Sequence, residues 1–547
     1  MIGLLTVALL GSLTLLWALF GSLTAEEKKT TMTRLRSKVQ PQHGLPNMLR
    51  GQQEQLQVHM PDLGAADPHG SAATDHHKAA ADGRIPYPYP LDKLATDAEV
   101  ANYKPRGGFR YTEYASGKDV LYDINDTTVQ SQSDTLARSR RAYVKQAMQF
   151  AWDGYAKYAF GYDEVKPQSA TGDNGWGGQG ITLVDALDTL WLMGMDDEFT
   201  RARDWVRDHL DHSKTGYTSL FETTIRDLGG LLAAYDLSAD EVFLTKATDL
   251  GTRLLHAFDK ADVTGIPHGQ VSLKDGIARN IGWTGNNAIL SEVGTVQIEN
   301  RYLSKMTHDP VYATKTERVF TVLHEMQPPH GLYPYYIKNE GTDKPVFSNK
   351  KLTFGAMADS FYEYMLKIWI QGGKTESLYR EMYDESMEGM HQILVQTSSP
   401  SGLTYIADQN GGKMDHKMDH LVCFMGGLLA LGAYTDPLGM DSPRAQRDLK
   451  TAKALTYTCY QMYARMATGI SPEFVQFMDG RDFQVGRGAP HYLLRPEAIE
   501  SFYILHQITG DPTYREWGWE VFLSIETFCK TKIAYGSLPN VQDLNEF

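Results

Sequence analysis

Four acidic residues lie in surroundings that are unusual for a solvent-exposed helix face. Glu222 is flanked by apolar residues, with Arg226 four positions later at the spacing of a helical ion pair. Asp359, Glu497 and Glu500 each precede or begin an apolar, aromatic stretch. Taken singly, such an acid is usually a helix cap, a partner of the helix dipole or half of an internal ion pair. Taken together, carboxylates that face one another across a sugar provide the chemistry of glycoside hydrolysis.

Other catalytic chemistries find little support in the sequence. Asp415–His420 has metal-like spacing, yet its two His residues are explained equally well as surface or capping groups. His324–His330 fails the helical zinc motif because the second His is too distant and two prolines interrupt the helix. The paired glycines at 411–412 and 426–427 are not followed by the Lys-Ser/Thr of a phosphate loop. Redox, kinase and nucleotide-dependent functions are therefore not expected.

Charge and cysteine content narrow the choice of partners. The 547 residues include 53 basic and 67 acidic side chains, giving a net charge of −14. Nucleic-acid binding depends on Lys and Arg displacing counterions from phosphates, so no nucleic-acid partner is expected. The three cysteines permit one disulfide bridge and one free thiol.

A recurring pattern indicates how these acids are positioned. An apolar helix ends in a short break, and an Asp then precedes an aromatic residue by three positions, which is typical of a new helix start. Regular structure is expected from near Arg140, and a last helix from about Thr513 to Thr531. Irregular spacing of the breaks favours a closed all-α toroid of helical hairpins, with short β-hairpins only in the loops that build a site at one end. The breaks are at Asp196/Phe199, Asp240/Phe243, Asp309/Tyr312 and Asp511/Tyr514.

The sequence predicts three regions. Residues 1–25 form an uncharged hydrophobic segment that is long enough to anchor the chain in a membrane, with a cleaved signal peptide as the alternative. Residues 26–135 have the composition of a disordered stem, and residues 136–547 form the catalytic domain. The basic residues after the anchor favour a cytoplasmic C-terminal side, whereas the glycosylation sequon at Asn125 favours the lumen.

Six segments, taken in order, resemble the class I α-mannosidases of glycoside hydrolase family 47. This resemblance extends from about Arg140 to Asp543 and implies an (α/α)7 barrel. It also implies a monomeric enzyme of the endoplasmic reticulum or Golgi lumen that removes terminal α-1,2-linked mannose from high-mannose N-glycans on glycoproteins. The segments are Val184–Leu190, Phe221–Arg226, Glu292–Thr295, Ala358–Tyr364, His420–Phe424 and Tyr492–Glu500.

The resemblance assigns roles position by position. Catalysis would invert configuration, with the two carboxyl groups roughly 6.5–9.5 Å apart to admit water. Glu497 would be the base, and the proton donor is left open between Glu222, which is preferred, and Asp359. A family calcium ion would bind the 2- and 3-hydroxyls of mannose. The catalytic residues would be Glu222, Asp359 and Glu497, the substrate-binding residues Arg226, His420, Arg495 and Glu500, and the disulfide Cys423–Cys459, with Cys529 a buried thiol.

Two departures from the family pattern qualify these expectations. Met357 stands where endoplasmic-reticulum-type members carry Arg, which predicts broader specificity than removal of a single mannose. The sequence also lacks the family's C-terminal helix and the Thr that holds calcium, so its metal ligands are unknown. We therefore expect an incomplete barrel and weak activity of this chain. A catalytically impaired mannose-glycan-binding protein in glycoprotein quality control is the alternative function.

Overall fold

Helices dominate the computed structural model, which describes residues 115–117, 124–259, 261 and 263–544. The predicted anchor and most of the predicted stem lie outside these residues. None of the helices in the described part is both long and apolar enough to cross a membrane. The α-helices are α1 Thr127–Tyr158, α2 Ile181–Asp185, α3 Leu187–Leu192, α4 Asp196–His209, α5 Leu220–Thr223, α6 Gly229–Ser238, α7 Glu241–Leu254, α8 Leu290–Val293, α9 Gln297–Thr307, α10 Val311–Glu325, α11 Asp359–Gln371, α12 Ser377–Ile393, α13 Phe424–Tyr434, α14 Pro443–Ala464, α15 Glu497–Thr509 and α16 Thr513–Phe528.

These helices form two concentric layers of a ring. The inner helices α3, α6, α9, α11, α13 and α15 contact one another in that order, and each packs against the outer helix that follows it in the chain. The outer helix α16 packs against α1, which brings the first and last described helices side by side. Helical hairpins bury both faces only when neighbours cover them, and a ring provides those neighbours. The predicted α/α barrel is confirmed, with seven outer and six inner helices in the described residues.

The short turns from inner to outer helices contain the predicted Asp residues. The side chains of Asp240, Asp309 and Asp511 each accept a hydrogen bond from the backbone N–H two residues later, at 3.0, 3.0 and 2.8 Å. This satisfies one of the backbone donors that a helix start leaves free. The prediction that Asp196 also caps a helix is wrong, because α4 begins at Asp196 itself. Asp196 therefore lies in the first turn of α4 rather than at its cap.

All the strands lie in the opposite set of connections, those from an outer helix to the next inner helix. They are two to five residues long and form six small antiparallel sheets, as predicted. Because the inner-to-outer turns lie at one end of the ring, the strands and long loops lie at the other. The strands are β1 Glu164–Lys166, β2 Thr171–Asp173, β3 Tyr217–Ser219, β4 Gln270–Ser272, β5 Ala278–Arg279, β6 Ala288–Ile289, β7 Tyr336–Lys338, β8 Val346–Phe347, β9 Lys351–Leu352, β10 Val395–Thr397, β11 Thr404–Ile406, β12 Asp408–Asn410, β13 Lys413–Asp415, β14 Lys417–Asp419, β15 Phe474–Met478 and β16 Asp482–Val485.

The first helix begins earlier than its sequence indicates. Asp126 accepts a hydrogen bond from Thr128 N at 2.8 Å and starts α1 well before Arg140. The first turns of α1 are polar and carry no apolar period, and the contacts of α1 with α16 nearest to them are those of Arg515 with Ser133 and Asp134. The last helix ends at Phe528, three residues before the predicted Thr531, because Lys530 forms a bridge with Tyr535.

Two cross-links stabilise the ring. The guanidinium of Arg140 is 1% exposed, and its Nη1 and Nη2 donate to Glu516 at 2.5 and 3.0 Å, joining α1 to α16. The predicted disulfide is present, with 5.8 Å between the Cα atoms of Cys423 and Cys459, and it joins the turn before α13 to α14. Cys529 is a free, buried thiol, also as predicted.

Candidate active site

The inner helices begin at the end of the ring that carries the strands, so acidic residues in their first turns face a common pocket. Asp359 is the first residue of α11, and Glu497 is the first residue of α15. Glu299 lies in the first turn of α9, and Glu222 lies in the short helix α5, which continues through a π-helical turn into the inner helix α6. The positive end of each helix dipole is therefore directed toward a concentration of carboxylates.

Glu222 is held by the elements on both sides of it. Ser219 caps α5 by accepting a hydrogen bond from Glu222 N at 3.2 Å. The predicted ion pair is present, with Arg226 Nε 2.8 Å from Glu222 Oε2. A π-helical turn, Thr224–Leu228, follows α5 and carries Arg226, whose Nη1 also lies 3.7 Å from Asp185 Oδ2. Burial raises the pKa of Asp185 to about 7 despite this cation.

Two further glutamates, Glu292 and Glu299, lie from Glu222 toward α11, and we call these three residues the acidic wall. Burial, together with the negative charge of Glu222, raises the pKa of Glu292 to about 7. Burial also raises the pKa of Glu299 to about 7, although its Oε1 accepts a hydrogen bond from Tyr364 OH at 2.7 Å. The second oxygen of Glu299 is buried and makes no hydrogen bond.

A lysine at the centre of this wall partly neutralises it. Lys367 of α11 forms a close ion pair with Glu363 on its own helix and lies 3.6 Å from Glu500 of α15. The two carboxylates raise the pKa of Lys367, so the ammonium remains charged although the side chain is partly buried. Burial raises the pKa of Glu500 as well. Lys367 therefore joins two inner helices across the pocket.

Asp359 is partly buried at the start of α11. Its Oδ1 accepts a hydrogen bond from Ser360 N at 2.8 Å. Burial raises the pKa of Asp359 to about 7, and the nearby negative charges of Glu363 and Glu497 act in the same direction. A carboxyl group with such a pKa keeps a share of its protons at neutral pH, as a general acid requires.

Glu497 faces two residues that the sequence assigns to substrate binding. His420 Nδ1 lies 3.3 Å from Glu497 Oε2 without the alignment of a hydrogen bond, and its Nε2 contacts Tyr463 OH at 2.7 Å. On the other side, Arg495 makes a two-pronged ion pair with Glu473, in which Nε lies 2.6 Å from Oε2. The partners of His420 and Arg495 fix both side chains beside Glu497.

Strained backbone flanks two of the acids. Met357 and Leu494 have φ angles of +79° and +57°, in the left-handed region that side chains other than glycine rarely adopt. Met357 precedes Asp359 by two residues, and its carbonyl accepts a hydrogen bond from Ser291 N at 2.9 Å. Leu494 is fully buried and immediately precedes Arg495. Such conformations persist only where the surrounding structure enforces them, and they concentrate at functional sites.

The structure places the seven predicted site residues in two local groups, and six residues that were not predicted lie beside them. One group contains Glu222 and Arg226, and the other contains Asp359, Glu497, Glu500, His420 and Arg495, with Lys367 paired to Glu500. For five of the six the available signal was position, since each lies in or beside a segment that begins an inner helix or precedes one, whereas Lys367 lies in the second half of α11. The missed residues are Asp185, Glu292, Glu299, Glu363, Lys367 and Glu473.

The family resemblance implies a calcium ion, and the residues present can be tested for how they would hold it. Within the described ranges, no three carboxylate, imidazole or thiol side chains are grouped so as to hold a metal ion. The acidic wall nevertheless fits a hard cation bound through water, because calcium prefers oxygen donors and Glu299 has an unused, buried oxygen.

Comparison with known proteins identifies the family. Residues 147–546 match glycosyl hydrolase family 47. The chain is 44% identical to a mannosyl-oligosaccharide 1,2-alpha-mannosidase of Arabidopsis thaliana, covering 76% of this chain and 72% of that protein. It is 40% identical to human mannosyl-oligosaccharide 1,2-alpha-mannosidase IC, covering 77% of this chain and 66% of that protein.

A solved structure agrees with this result. The alpha-1,2-mannosidase from Trichoderma reesei superposes with a TM-score of 0.68 at 27% identity, covering 75% of this chain and 89% of that one. The acidic pocket at the strand-bearing end of the barrel, the match over most of the chain and the shared architecture lead to one conclusion: the chain belongs to glycosyl hydrolase family 47.

Proposed function

We propose that the chain hydrolyses terminal α-1,2-linked mannose of high-mannose N-glycans with inversion of configuration. The observation that carries the proposal is the proximity of Asp359 to Glu497, whose charge helps to raise the pKa of the Asp359 carboxyl. Two neighbouring carboxyl groups with different environments are suited to the separate tasks of acid and base. The names of the similar proteins supply the substrate class.

Glu497 is the proposed base. Its carboxylate takes a proton from water as that water attacks the anomeric carbon from the face opposite the leaving group. His420 and Arg495 hold this side of the pocket, and their own partners, Tyr463 and Glu473, keep them from rotating away. Because Glu497 is already held in position, little conformational entropy is lost when the transition state forms.

The proton donor is the point on which the structure adds to the sequence. The family resemblance favours Glu222 over Asp359, whereas the raised pKa of Asp359, about 7, supports Asp359 as the donor. Glu222 is engaged by Arg226 at 2.8 Å. We assign Glu222 and Arg226 to orienting the sugar and the leaving group.

Replacement of Glu497 by Gln is the decisive experiment. The amide keeps the shape of the carboxylate but cannot accept the proton of water, so turnover of a high-mannose glycan should fall about 10²–10⁴-fold while glycan binding persists. Glu381→Gln, an exposed acid on the outer helix α12, is the matched control and should leave turnover unchanged. Wild-type turnover in Glu497→Gln would exclude Glu497 as the base.

The configuration of the first product tests inversion separately. Nuclear magnetic resonance of the early reaction should detect β-mannose before mutarotation, and early α-mannose would contradict inversion. A wild-type protein that binds the glycan and releases no mannose would favour the alternative, non-catalytic function in glycoprotein quality control.

We also propose that the pocket takes a calcium ion bound largely through water. Glu299, Glu363 and Glu500 would accept hydrogen bonds from that water, and the ion would contribute a positive charge for the sugar hydroxyls. Calcium should raise the thermal unfolding midpoint relative to chelator-treated protein, and Glu299→Gln should reduce this shift. An equal midpoint with calcium and with chelator would contradict the assignment.

The proposed compartment is the lumen of the secretory pathway. The disulfide between Cys423 and Cys459 favours an oxidising environment, and the residues of the Asn125 sequon are exposed at the start of α1. In secretory expression, the wild-type chain should carry one N-glycan that Asn125→Gln removes, as measured by endoglycosidase mobility shift. Membrane attachment through residues 1–25, the choice between endoplasmic reticulum and Golgi, and the monomeric state remain part of the same proposal.

A further inference from the structure

The sheet β3–β4–β5 presents one polar and aromatic face to solvent, which we call the rim face. Strand pairing places Ser219 opposite Gln270, and Gln270 opposite Arg279. Tyr217 precedes Ser219 by two residues on β3 and therefore points to the same side of the sheet. The rim face comprises Tyr217, Ser219, Gln270 and Arg279.

The rim face adjoins the pocket that holds the acids. Ser219 caps the helix that carries Glu222, at 3.2 Å from Glu222 N. Gly269, the residue before β4, leaves so little room that a Cβ atom at its position would come within 2.8 Å of Glu292 Oε2. The sheet therefore lies at the edge of the pocket, where a long ligand bound beside Glu222 and Glu292 would contact it.

The rim face is already ordered without a ligand. The guanidinium of Arg279 lies 3.7 Å from the centroid of the Tyr217 ring, and its Nε donates to Gln270 Oε1 at 3.1 Å. Because these contacts hold the three side chains in place, a ligand would lose little entropy in ordering them. The neighbouring amide and guanidinium groups leave further N–H donors for hydroxyl oxygens.

An exposed tryptophan follows this sheet in the chain, four residues after Arg279. Trp283 lies in the turn that follows β5, and 63% of its surface is accessible to water, whereas Trp152, Trp517 and Trp519 are almost fully buried. Tyr217 is 41% exposed. Large aromatic side chains that remain in water beside a binding pocket indicate an interaction surface, because covering them removes apolar area from water.

We propose that the rim face and Trp283 bind mannose residues of the same oligosaccharide, beyond the two that flank the bond being cleaved. The apolar C–H face of a pyranose packs against an aromatic ring, and its hydroxyls accept hydrogen bonds from Arg279 and Gln270. The rim face borders the pocket at Ser219 and Gly269, which favours a ligand that occupies both. This inference rests on the proposed mannosidase function and adds to it a second region of substrate recognition.

The ligand is a neutral sugar rather than an anion. The contacts of Arg279 on this face are an aromatic ring and an amide, and Ser219, Gln270 and Tyr217 bring no charge. One cation among neutral groups provides a weak site for a phosphate or an acidic peptide, which typically requires several cations. Salt should therefore have little effect on the contribution of this surface.

The test compares a long substrate with a short one. Trp283→Ala and Arg279→Met are assayed on a nine-mannose N-glycan and on α-1,2-linked mannobiose, which is too short to reach the rim face. For each variant, the ratio of kcat/KM on the glycan to kcat/KM on mannobiose should fall about five- to tenfold, mainly through KM. Tyr434→Ala is the control, an aromatic residue 45% exposed at the far end of α13, and its ratio should equal that of wild type.

The outcomes separate this inference from the proposed function. A wild-type ratio in both rim variants, or equal losses on both substrates, would overturn the inference while leaving the mannosidase intact. If the wild-type chain cleaves neither substrate, the proposed function fails. The same variants are then compared by binding of the two sugars, where a weakened affinity for the glycan alone supports the rim face and unchanged affinity refutes it. Thermal unfolding midpoints near wild type confirm that the variants fold.

Discussion

Asp163 organises the loop that leads to the first inner helix, and its replacement by Asn should be strongly destabilising. The carboxylate is fully buried and accepts five backbone hydrogen bonds. Oδ1 accepts from Gln179, Gly180 and Ile181 at 2.7, 2.8 and 3.4 Å, and Oδ2 accepts from Trp176 and Gly178 at 2.9 and 2.8 Å. The loop thus folds around one negative charge.

The expected loss of unfolding free energy follows from how the five hydrogen bonds are divided between the two oxygens of Asp163. In its better orientation, Asn keeps its single oxygen toward the three donors and turns its NH₂ group toward the N–H groups of Trp176 and Gly178. At least two hydrogen bonds to a charged acceptor are then lost, each worth about 1.5–3 kcal/mol, so the free energy of unfolding should fall by about 3–6 kcal/mol. Because the same loop begins α2, which ends at Asp185, KM for the glycan should rise as well.

The assay is urea unfolding of Asp163→Asn beside Asp173→Asn. Asp173 lies on the neighbouring strand β2, where its carboxylate is about one third exposed and pairs with Lys166. Exposed ion pairs contribute at most about 1 kcal/mol, so the control should lose no more than that. A loss below 1 kcal/mol in Asp163→Asn would refute the argument that the buried carboxylate orders the loop.

Three further predictions concern other parts of the barrel. Asp227 is buried with both oxygens lacking hydrogen bonds, and burial raises its pKa well above the ordinary value, so Asp227→Val should stabilise the fold by about 1–3 kcal/mol. A raised folded-state pKa means that wild type loses stability as pH rises from about 4, so urea unfolding should detect a larger gain at pH 7 than at pH 5. If Asp359 donates the proton, kcat should decline above a pH of about 7. Asp359→Asn should then lose glycan turnover yet still cleave α-mannosyl fluoride, because the fluoride leaving group needs no proton. Equal losses on both substrates would exclude Asp359 as the proton donor. Replacement of Cys423 and Cys459 by Ala should lower the free energy of unfolding by about 3–4 kcal/mol, and mass mapping that found Cys529 in the bridge would contradict the pairing.

The features that the sequence predicted are those with local causes. Asp240, Asp309 and Asp511 begin helices because each can accept from a backbone N–H two residues ahead, a property of a few adjacent residues. The pair Glu222 and Arg226 follows from the helical spacing of four residues. The all-α ring follows from repeated apolar hairpins that need neighbours.

The features that the sequence did not predict depend on contacts between distant segments. Lys367 is one basic residue in an apolar helix until the ring brings Glu500 to within 3.6 Å of it. Near the polar start of α1, Arg515 of the distant helix α16 donates hydrogen bonds to Ser133 and Asp134.

The sequence by itself determined the class of fold, the acids that could do glycosidase chemistry and the disulfide that its family resemblance implied. Only the tertiary structure decided which acids are neutralised by a neighbouring cation and which keep a raised pKa, as Glu299 and Asp359 do. The reason is that helix starts and ion pairs four residues apart depend on neighbouring residues in the chain. Desolvation and the charges of other helices, by contrast, exist only once the ring has closed around the pocket.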